Sequence, residues 1–422
     1  MSAKKTQRDS APLAKAFRLT LAVSLAGALA ACQEAGSIES ARAYYPIPQA
    51  TLALMASKGT TKAAPILIRT FKKESEFEVW KMGPAGRYIY IKTFPMCRWS
   101  GQLGPKTREG DRQVPEGFYT IAPGQMNPNS HYYLSFNVGY PNAYDRAHED
   151  TGGDIMVHGI CSSAGCFSMT NAQIAEIYAI AREAFAGGQR DIQMESFPFH
   201  MTAKNLAKFR LDPNMPFWKQ LKKGSDYFKV TGQPPQVGVC DRHYVFDATP
   251  VAEQSLDPTA PCPALKQNPA VVAAVAQKER QDDLQVAALV QKGVKAVRLV
   301  YLDGSQNPAF ASKDEGDVSR PDALARGPIE IAMGPVSTPA AVKIANAAAK
   351  ASKASRPTST EIAKAAASAP GRSAIPQVVA TTAAPALAFS STSSATPFYK
   401  SWLGLVSEKL GGAQAAQSAP PQ

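Results

Sequence analysis

Hydrophobic and polar positions alternate in short runs through the middle of the chain and lose that order towards both flanks. Strands are predicted in P-I-L-I-R-T-F, E-F-E-V-W-K-M and R-Y-I-Y-I-K-T-F, between 64 and 94. Phe77, Val79 and Lys81 face opposite to Glu76, Glu78 and Trp80. Tyr88, Tyr90 and Lys92 face opposite to Ile89, Ile91 and Thr93. The Gly83-Pro84-Ala85-Gly86 segment turns the chain between the second and third runs. Further strands are expected at 118–121, 132–138, 154–158, 190–195 and, at an edge, 226–231. A helix is expected over 171–186, with Ile174, Ile177, Tyr178, Ala181 and Phe185 on one face. Thr170 and Gln173 form its capping box, and Gly187-Gly188 end it. Two shorter helices fall at 204–209 and 215–223, the second with a core-facing stripe of Phe217, Trp218 and Leu221. The pattern is that of a mainly β fold with α.

Three other stretches carry weaker signals. Residues 34–59 read as a short helix or a tether. Residues 101–113 are a polar loop whose Lys106, Arg108, Glu109, Asp111 and Arg112 either grip a carboxylated peptide or are simply solvated. Residues 139–153 read as a loop in which Tyr140, Tyr144 and Asp145 wall a cleft.

The flanks define the rest of the organisation. Residues 1–18 carry Lys4, Lys5, Arg8, Lys15 and Arg18 against one acid, Asp9, and 19–30 are apolar. Such a segment is an export signal, too short to span a membrane as a helix. It ends in Leu29-Ala30-Ala31-Cys32, which resembles a bacterial lipobox. That likeness implies cleavage before Cys32 and lipidation of its thiol and new amine, so that 1–31 is a signal peptide and 32–63 a tether. An ordinary Ala-x-Ala cut leaving a soluble protein is the alternative. Gln33, in place of Asp, favours the outer membrane. A net charge of +12 and a pI near 9.3 suit a polyanion. Export argues against nucleic acid, which leaves an anionic wall polymer, phospholipid headgroups, or lysines that are merely solvated. Residues 247–302 form an accessory segment whose part from 271 is helical and hairpin-like. Residues 303–396 are dominated by Ala, Pro, Ser, Thr and Lys and are expected to be disordered. A short amphipathic end occupies 397–422.

Chemistry concentrates in M-V-H-G-I-C-S-S-A-G-C-F-S-M-T-N, beginning at Met156. His158 and Cys166 are eight residues apart, a spacing that a loop between a strand and a helix folds back into contact. A cysteine nucleophile needs a base in reach and backbone donors for the oxyanion. Gly165 permits a sharp turn beside the thiol. Cys166 falls just before the helix start, where amides, and His158 as an imidazolium, favour a thiolate. Other readings of the cluster are a zinc site, for which only three ligands gather, a Cys161–Cys166 disulfide, and inert buried thiols. His131, His148, His200 and His243 have no such company and read as surface or core. Cys240 and Cys262 close a loop rich in Pro and Asp and are candidates to pair, with Cys97–Cys161 or free thiols as alternatives.

His158-Gly159 and Ser163-Ala164-Gly165-Cys166 resemble the signature of the L,D-transpeptidase (YkuD-type) catalytic domain of bacterial cell-wall enzymes. Val114-Pro115-Glu116-Gly117-Phe118-Tyr119 is similar to an upstream segment of that family, and 98–121 with 126–134 is similar to its YafK-type branch. The resemblance covers roughly 65–240 and implies a catalytic domain over 64–246. It implies a curved β-sandwich with a helix after Cys166, and a two-step reaction on peptidoglycan stem peptides. Cys166 is then the nucleophile and His158 the proton donor and acceptor. Gly165, Gly159 and Ser163 shape the turn, with the Cys166 and Gly165 amides holding the oxyanion. No cofactor or metal is implied. A murein-linked lipoprotein is a further candidate partner, and hydrolysis of the same bond or non-catalytic wall binding are rival activities. Ala164 stands where the family usually has a second His, and Ser168 where it has Asn or Arg.

Overall fold

The computed structural model describes residues 41–252, 254–311 and 318–334. The export signal, Cys32 and the amphipathic end lie outside these residues.

The alternating runs form β1 (Ile66–Phe71), β2 (Glu76–Met82) and β3 (Tyr88–Pro95). They are followed by β4 (Gly117–Ile121), β5 (Met126–Asn127), β6 (Ser135–Asn137), β7 (Met156–His158), β8 (Phe167–Ser168) and β9 (Ile192–Phe197). A five-stranded sheet runs β3-β2-β1-β9-β4, with β1 and β9 parallel and the other neighbours antiparallel. A four-stranded sheet runs β5-β6-β7-β8, with only β7 and β8 parallel. The strand expected at 132–138 shortens because Tyr133 takes φ 74°, which breaks extended pairing.

Helix α1 (Gln49–Ser57) answers the question left open at 34–59. Thr51 and Met55 are buried in it, and Lys92 bonds Glu176 at 2.8 Å beside Thr51. Residues 49–57 of this stretch are therefore packed onto the domain, while 34–40 lie outside the described residues. Within 139–153 the chain forms α2 (Ala143–Ala147), capped reciprocally by Asn142 and Asp145. The main helix, α3 (Asn171–Ala186), starts at the expected box: Thr170 Oγ1 accepts from the Gln173 amide at 3.3 Å, and Gln173 Oε1 accepts from the Thr170 amide at 2.9 Å. Ile174, Ile177, Tyr178 and Ala181 are buried along it.

After α4 (Ala203–Phe209), α5 (Met215–Thr231) runs through the segment expected as an edge strand at 226–231. The apolar stripe simply continues: Phe217, Leu221, Ser225 and Phe228 are all buried at helical spacing. Lys222 pairs with Asp226 one turn on and, at 2.7 Å, with Asp282 of α6 (Pro269–Gln291). Gly232 stops the helix at φ 70°. A hairpin of β10 (Val237–Cys240) and β11 (His243–Phe246) and a two-residue pair, β12 (Thr249–Pro250) with β13 (Leu265–Lys266), precede α6.

The end of the described chain departs most from expectation. β14 (Ala296–Val300) follows α6, and after α7 (Pro321–Arg326) it pairs antiparallel with β15 (Ile329–Met333). Asp303, Phe310 and Ala323 are buried. The disorder expected from 303 therefore does not hold for 303–311 and 318–334. Average composition there hides a few anchoring residues.

Three buried ion pairs or buried lysines hold the scaffold beneath the site. Arg69 and Glu195 lie 2.8 Å apart on β1 and β9. Lys81 has no exposed surface and donates to the carbonyls of Lys62 and Ala64. Lys72 meets Glu116 at 2.9 Å and also donates to the Gly104 and Val114 carbonyls. Glu116 in turn accepts from Trp218 Nε1 and the Gly104 amide. Burial lowers the Lys72 ammonium's pKa, with Glu116 opposing the shift. The pair fixes the approach to β4 at Gly117. A side chain at Gly117 would stand 2.8 Å from the Tyr244 hydroxyl, at a φ of 149°.

Candidate active site

The parallel pairing of β7 with β8 brings the two predicted groups together. Val157 lies beside Phe167 and His158 beside Ser168, so Cys166, one residue before β8, sits opposite Met156. From a strand spacing of about 4.8 Å and a two-residue rise of about 6.6 Å, the Cα atoms of His158 and Cys166 are about 8 Å apart. The Met156 amide donates to Cys166 Sγ at 3.4 Å, and the thiol faces the Asp154 carbonyl at 3.9 Å. His158 is buried and packs on the Tyr132 ring at 4.6 Å between centroids. Its Nδ1 bonds the Gly159 carbonyl oxygen, which can only accept. The ring is therefore the Nδ1–H tautomer, and Nε2 is left as the basic nitrogen. Among the described residues no direct hydrogen bond joins the ring to the sulfur.

The electrostatics differ from those expected of a thiolate beside an imidazolium. Burial raises the Cys166 thiol's pKa, while the Met156 amide and Lys106 act the other way. Burial also lowers that of the His158 imidazole, against the opposing bond to Gly159. Both shifts favour the neutral forms. The helix start lies five residues past Cys166, with β8 between them, so α3 does not present its first amides to the sulfur.

The loop from 159 to 165 is held at nearly every residue. Gly159 donates to the Tyr132 and Leu134 carbonyls, and a Cβ there would meet Tyr132 O at 2.9 Å. Gly165 has φ 127°, a conformation only glycine adopts comfortably. Cys161 is bonded to Cys97, which disposes of both the Cys161–Cys166 disulfide and the three-ligand zinc reading. Cys240 and Cys262 also pair, so both candidate disulfides form. Among the five described cysteines only Cys166 is free.

Ser163 is the centre of this loop. Its hydroxyl is buried and donates to the Cys166 carbonyl at 2.7 Å. It accepts from the amides of Cys166 at 3.2 Å and Gly165 at 3.4 Å, and lies 2.9 Å from the Ser100 hydroxyl. The two amides expected to hold an oxyanion are thus committed to Ser163 Oγ in the resting protein. Ser168 Oγ donates to the Ser162 carbonyl at 2.6 Å, an internal brace at a position where the family usually carries Asn or Arg.

Of the five charged residues of 101–113, for which a grip on a ligand was one of two readings, Lys106, Asp111 and Arg112 are partnered within the protein. Lys106 pairs with Asp111 at 2.6 Å, and Arg112 bonds Asp303 and the Ser163 carbonyl. Tyr140 donates to the Lys106 and Thr151 carbonyls, Tyr144 stacks on Tyr244, and Asp145 caps α2. These three belong to the core, not to a cleft wall. The sequence also gave no hint that Glu76, Glu78 and His200 place ligand atoms within 4.8 Å of one another. His200 bonds Glu76 and Trp80 bonds Glu78, so the group is internally satisfied on both sides.

A profile of the L,D-transpeptidase catalytic domain (YkuD) matches residues 74–189. YafK of Escherichia coli (strains K12 and O157:H7), named as a candidate L,D-transpeptidase, is 41% identical over 196 residues, 46% of this chain and 78% of its own length. The chain belongs to the L,D-transpeptidase family. Its likeness is to the YafK-type branch, and the span matched by the profile contains His158, Gly159, Ser163, Gly165 and Cys166. Among solved structures, the helical cell shape determining protein Pgp2 of Campylobacter jejuni is 15% identical, covering 59% of this chain and 80% of its own, with a TM-score of 0.26. Bd1075 of Bdellovibrio bacteriovorus is 21% identical, covering 33% and 50%, with a TM-score of 0.24. At such scores neither likeness bears on activity.

Proposed function

We propose that this member of the L,D-transpeptidase family transfers peptidoglycan stem peptides through a thioester on Cys166. The observation that carries the reading is one free thiol, placed by β8 beside the strand that holds a histidine whose Nδ1–H is tied to a carbonyl. Substrate closes the remaining gap between ring and sulfur, since catalytic hydrogen bonds commonly tighten only in the complex. His158 Nε2 takes the thiol proton as Sγ attacks the carbonyl carbon of the position-three diaminopimelate. The C–N bond to the terminal D-alanine breaks, and that amine leaves with the proton from His158. An acceptor amine then attacks the thioester and frees the thiol, giving a three-three cross-link or a wall-attached lipoprotein. The chemistry uses His158 as a neutral base, which matches its lowered pKa.

We place this work in the periplasm, with the chain anchored to the outer membrane through lipidated Cys32. Two disulfides support an oxidising compartment. No helix among the described residues is long and apolar enough to cross a membrane.

The test is mass spectrometry of tetrapeptide muropeptides incubated with the purified protein. Dimers formed with loss of D-alanine support transfer. Trimmed monomers alone would replace it with hydrolysis, and unchanged muropeptides would leave wall binding without catalysis.

A further inference from the structure

We infer that two described stretches beyond the catalytic fold, 303–311 and 318–320, form a clamp that sets the position of Cys166 through Ser163, with Asp303 and Ser319 as positioning residues. The inference rests on Cys166 being the nucleophile.

Asp303 is buried, and its carboxylate gathers cations from three parts of the chain. Oδ2 lies 3.1 Å from Arg98, 2.8 Å from Arg112 and 3.8 Å from Arg320. Oδ1 accepts from the Gly101 amide at 3.2 Å. Three guanidiniums drawn together repel one another unless a carboxylate stands among them. Arg98 shows the tension: burial lowers its pKa, Asp303 counters that, and Arg112 and Arg320 add to it. One of these arginines, Arg112, also donates to the Ser163 carbonyl at 2.9 Å.

Ser319 reaches the same residue directly. Its hydroxyl accepts from the Ser163 amide at 2.9 Å and lies 3.3 Å from the Ser163 carbonyl, to which it donates. Arg98 Nε donates to the Ser319 carbonyl at 2.9 Å, so the segment is tied at both ends of that residue. Phe310 and Val318 cover the Cys97–Cys161 disulfide at the head of the loop. The backbone of Ser163 is thus held from outside the catalytic fold, while its side chain holds the amide and carbonyl of Cys166. An unbroken series of hydrogen bonds runs from Asp303 and Ser319 to the backbone of the nucleophile. The profile of the catalytic domain matches 74–189, so Asp303 and Ser319 lie outside the matched span while Arg98, Arg112 and Ser163 lie within it.

The experiment uses the full chain and two readouts, the rate of Cys166 alkylation by iodoacetamide and the split of kcat and KM on muropeptides. Ser319→Ala removes only a half-exposed hydroxyl and is expected to fold. It should change the alkylation rate at least threefold and lower kcat about tenfold with KM nearly unchanged, while Ser319→Thr restores both. Asp303→Asn should act in the same direction and more strongly. Glu330→Gln, which removes the partner of Lys208 elsewhere in the extension, is the control and should change neither. Wild-type alkylation and kcat in a folded Ser319→Ala protein would overturn the clamp. Failure of the nucleophile assignment reads differently, as activity that survives Cys166→Ala.

Discussion

Replacing Ser163 with alanine is the sharpest structural perturbation of the site. The hydroxyl serves the Gly165 amide, the Cys166 amide and the Cys166 carbonyl together. Gly165 is buried, and Cys166 is half-buried, so water can replace only some of those bonds. The Ser100 hydroxyl keeps its bond to the Arg112 carbonyl and is not orphaned. A buried donor or acceptor left unsatisfied costs about 1–3 kcal/mol. Counting the Gly165 amide in full and the two Cys166 groups as one, Ser163→Ala should lose about 2–6 kcal/mol. Urea unfolding measures this as a lower midpoint at unchanged slope. If Cys166 is the nucleophile proposed above, activity on muropeptides should fall more than stability alone explains at a temperature where the variant is still folded, because the backbone of Cys166 is released. A variant within about 0.5 kcal/mol of wild type, the spread of an ordinary surface change, and with full kcat, would refute the role given to this hydroxyl. Higher kcat would instead mean that the freed amides serve the oxyanion better without it.

Other consequences follow from the same geometry. The rate of Cys166 alkylation should rise with pH through a midpoint above the ordinary thiol value of about 8.5, since burial raises this thiol; a plateau already reached at pH 6 would mean a preformed thiolate–imidazolium pair. Cys97→Ser with Cys161→Ser opens a cross-link between residues 64 apart, for which the loop-closure estimate is about 4 kcal/mol; a denaturation midpoint equal to wild type under non-reducing conditions would contradict it. Burial raises Asp145 from 3.8 to about 7. A folded pKa above the unfolded one means stability present below pH 4 and lost as pH rises to 7. At about 1.4 kcal/mol per unit the loss is about 4 kcal/mol, and Asp145→Asn should flatten stability across that window; a variant with the wild-type slope would assign the slope to other groups.

The strands and the long helix were legible because their signals are local. Alternation marked β2 and β3, an apolar run marked β1, and Thr170 with Gln173 set the start of α3. The segment 226–231 was misread as an edge strand because Tyr227, Val230 and Thr231 favour strands taken alone. Its helical state comes from Lys222 bridging Asp226 and Asp282 and from Phe228 continuing the stripe, contacts that depend on α6. Compositional averaging hid the order beyond 303, where one aspartate among three arginines and one phenylalanine on a disulfide anchor the chain.

The candidate site could be named from residue types, but its electrostatics could not. His158 and Cys166 announce themselves by motif, and adjacent parallel strands place them together. Their protonation states depend on burial, which no spacing reveals. The charges of 101–113 left a ligand grip open beside plain solvation because nothing in the sequence pairs Arg112 with a residue 191 positions later. Ser163 was recognised as part of the turn, yet its hold on the Gly165 and Cys166 amides appears only once the loop is folded.

The most direct measurement is intact-mass and peptide mapping after incubation of the full chain with a carbapenem. A single covalent adduct on the peptide containing Cys166, absent from Cys166→Ala and much slower to form in His158→Ala, is the predicted result. An adduct elsewhere, or one that forms undiminished in Cys166→Ala, would contradict the account.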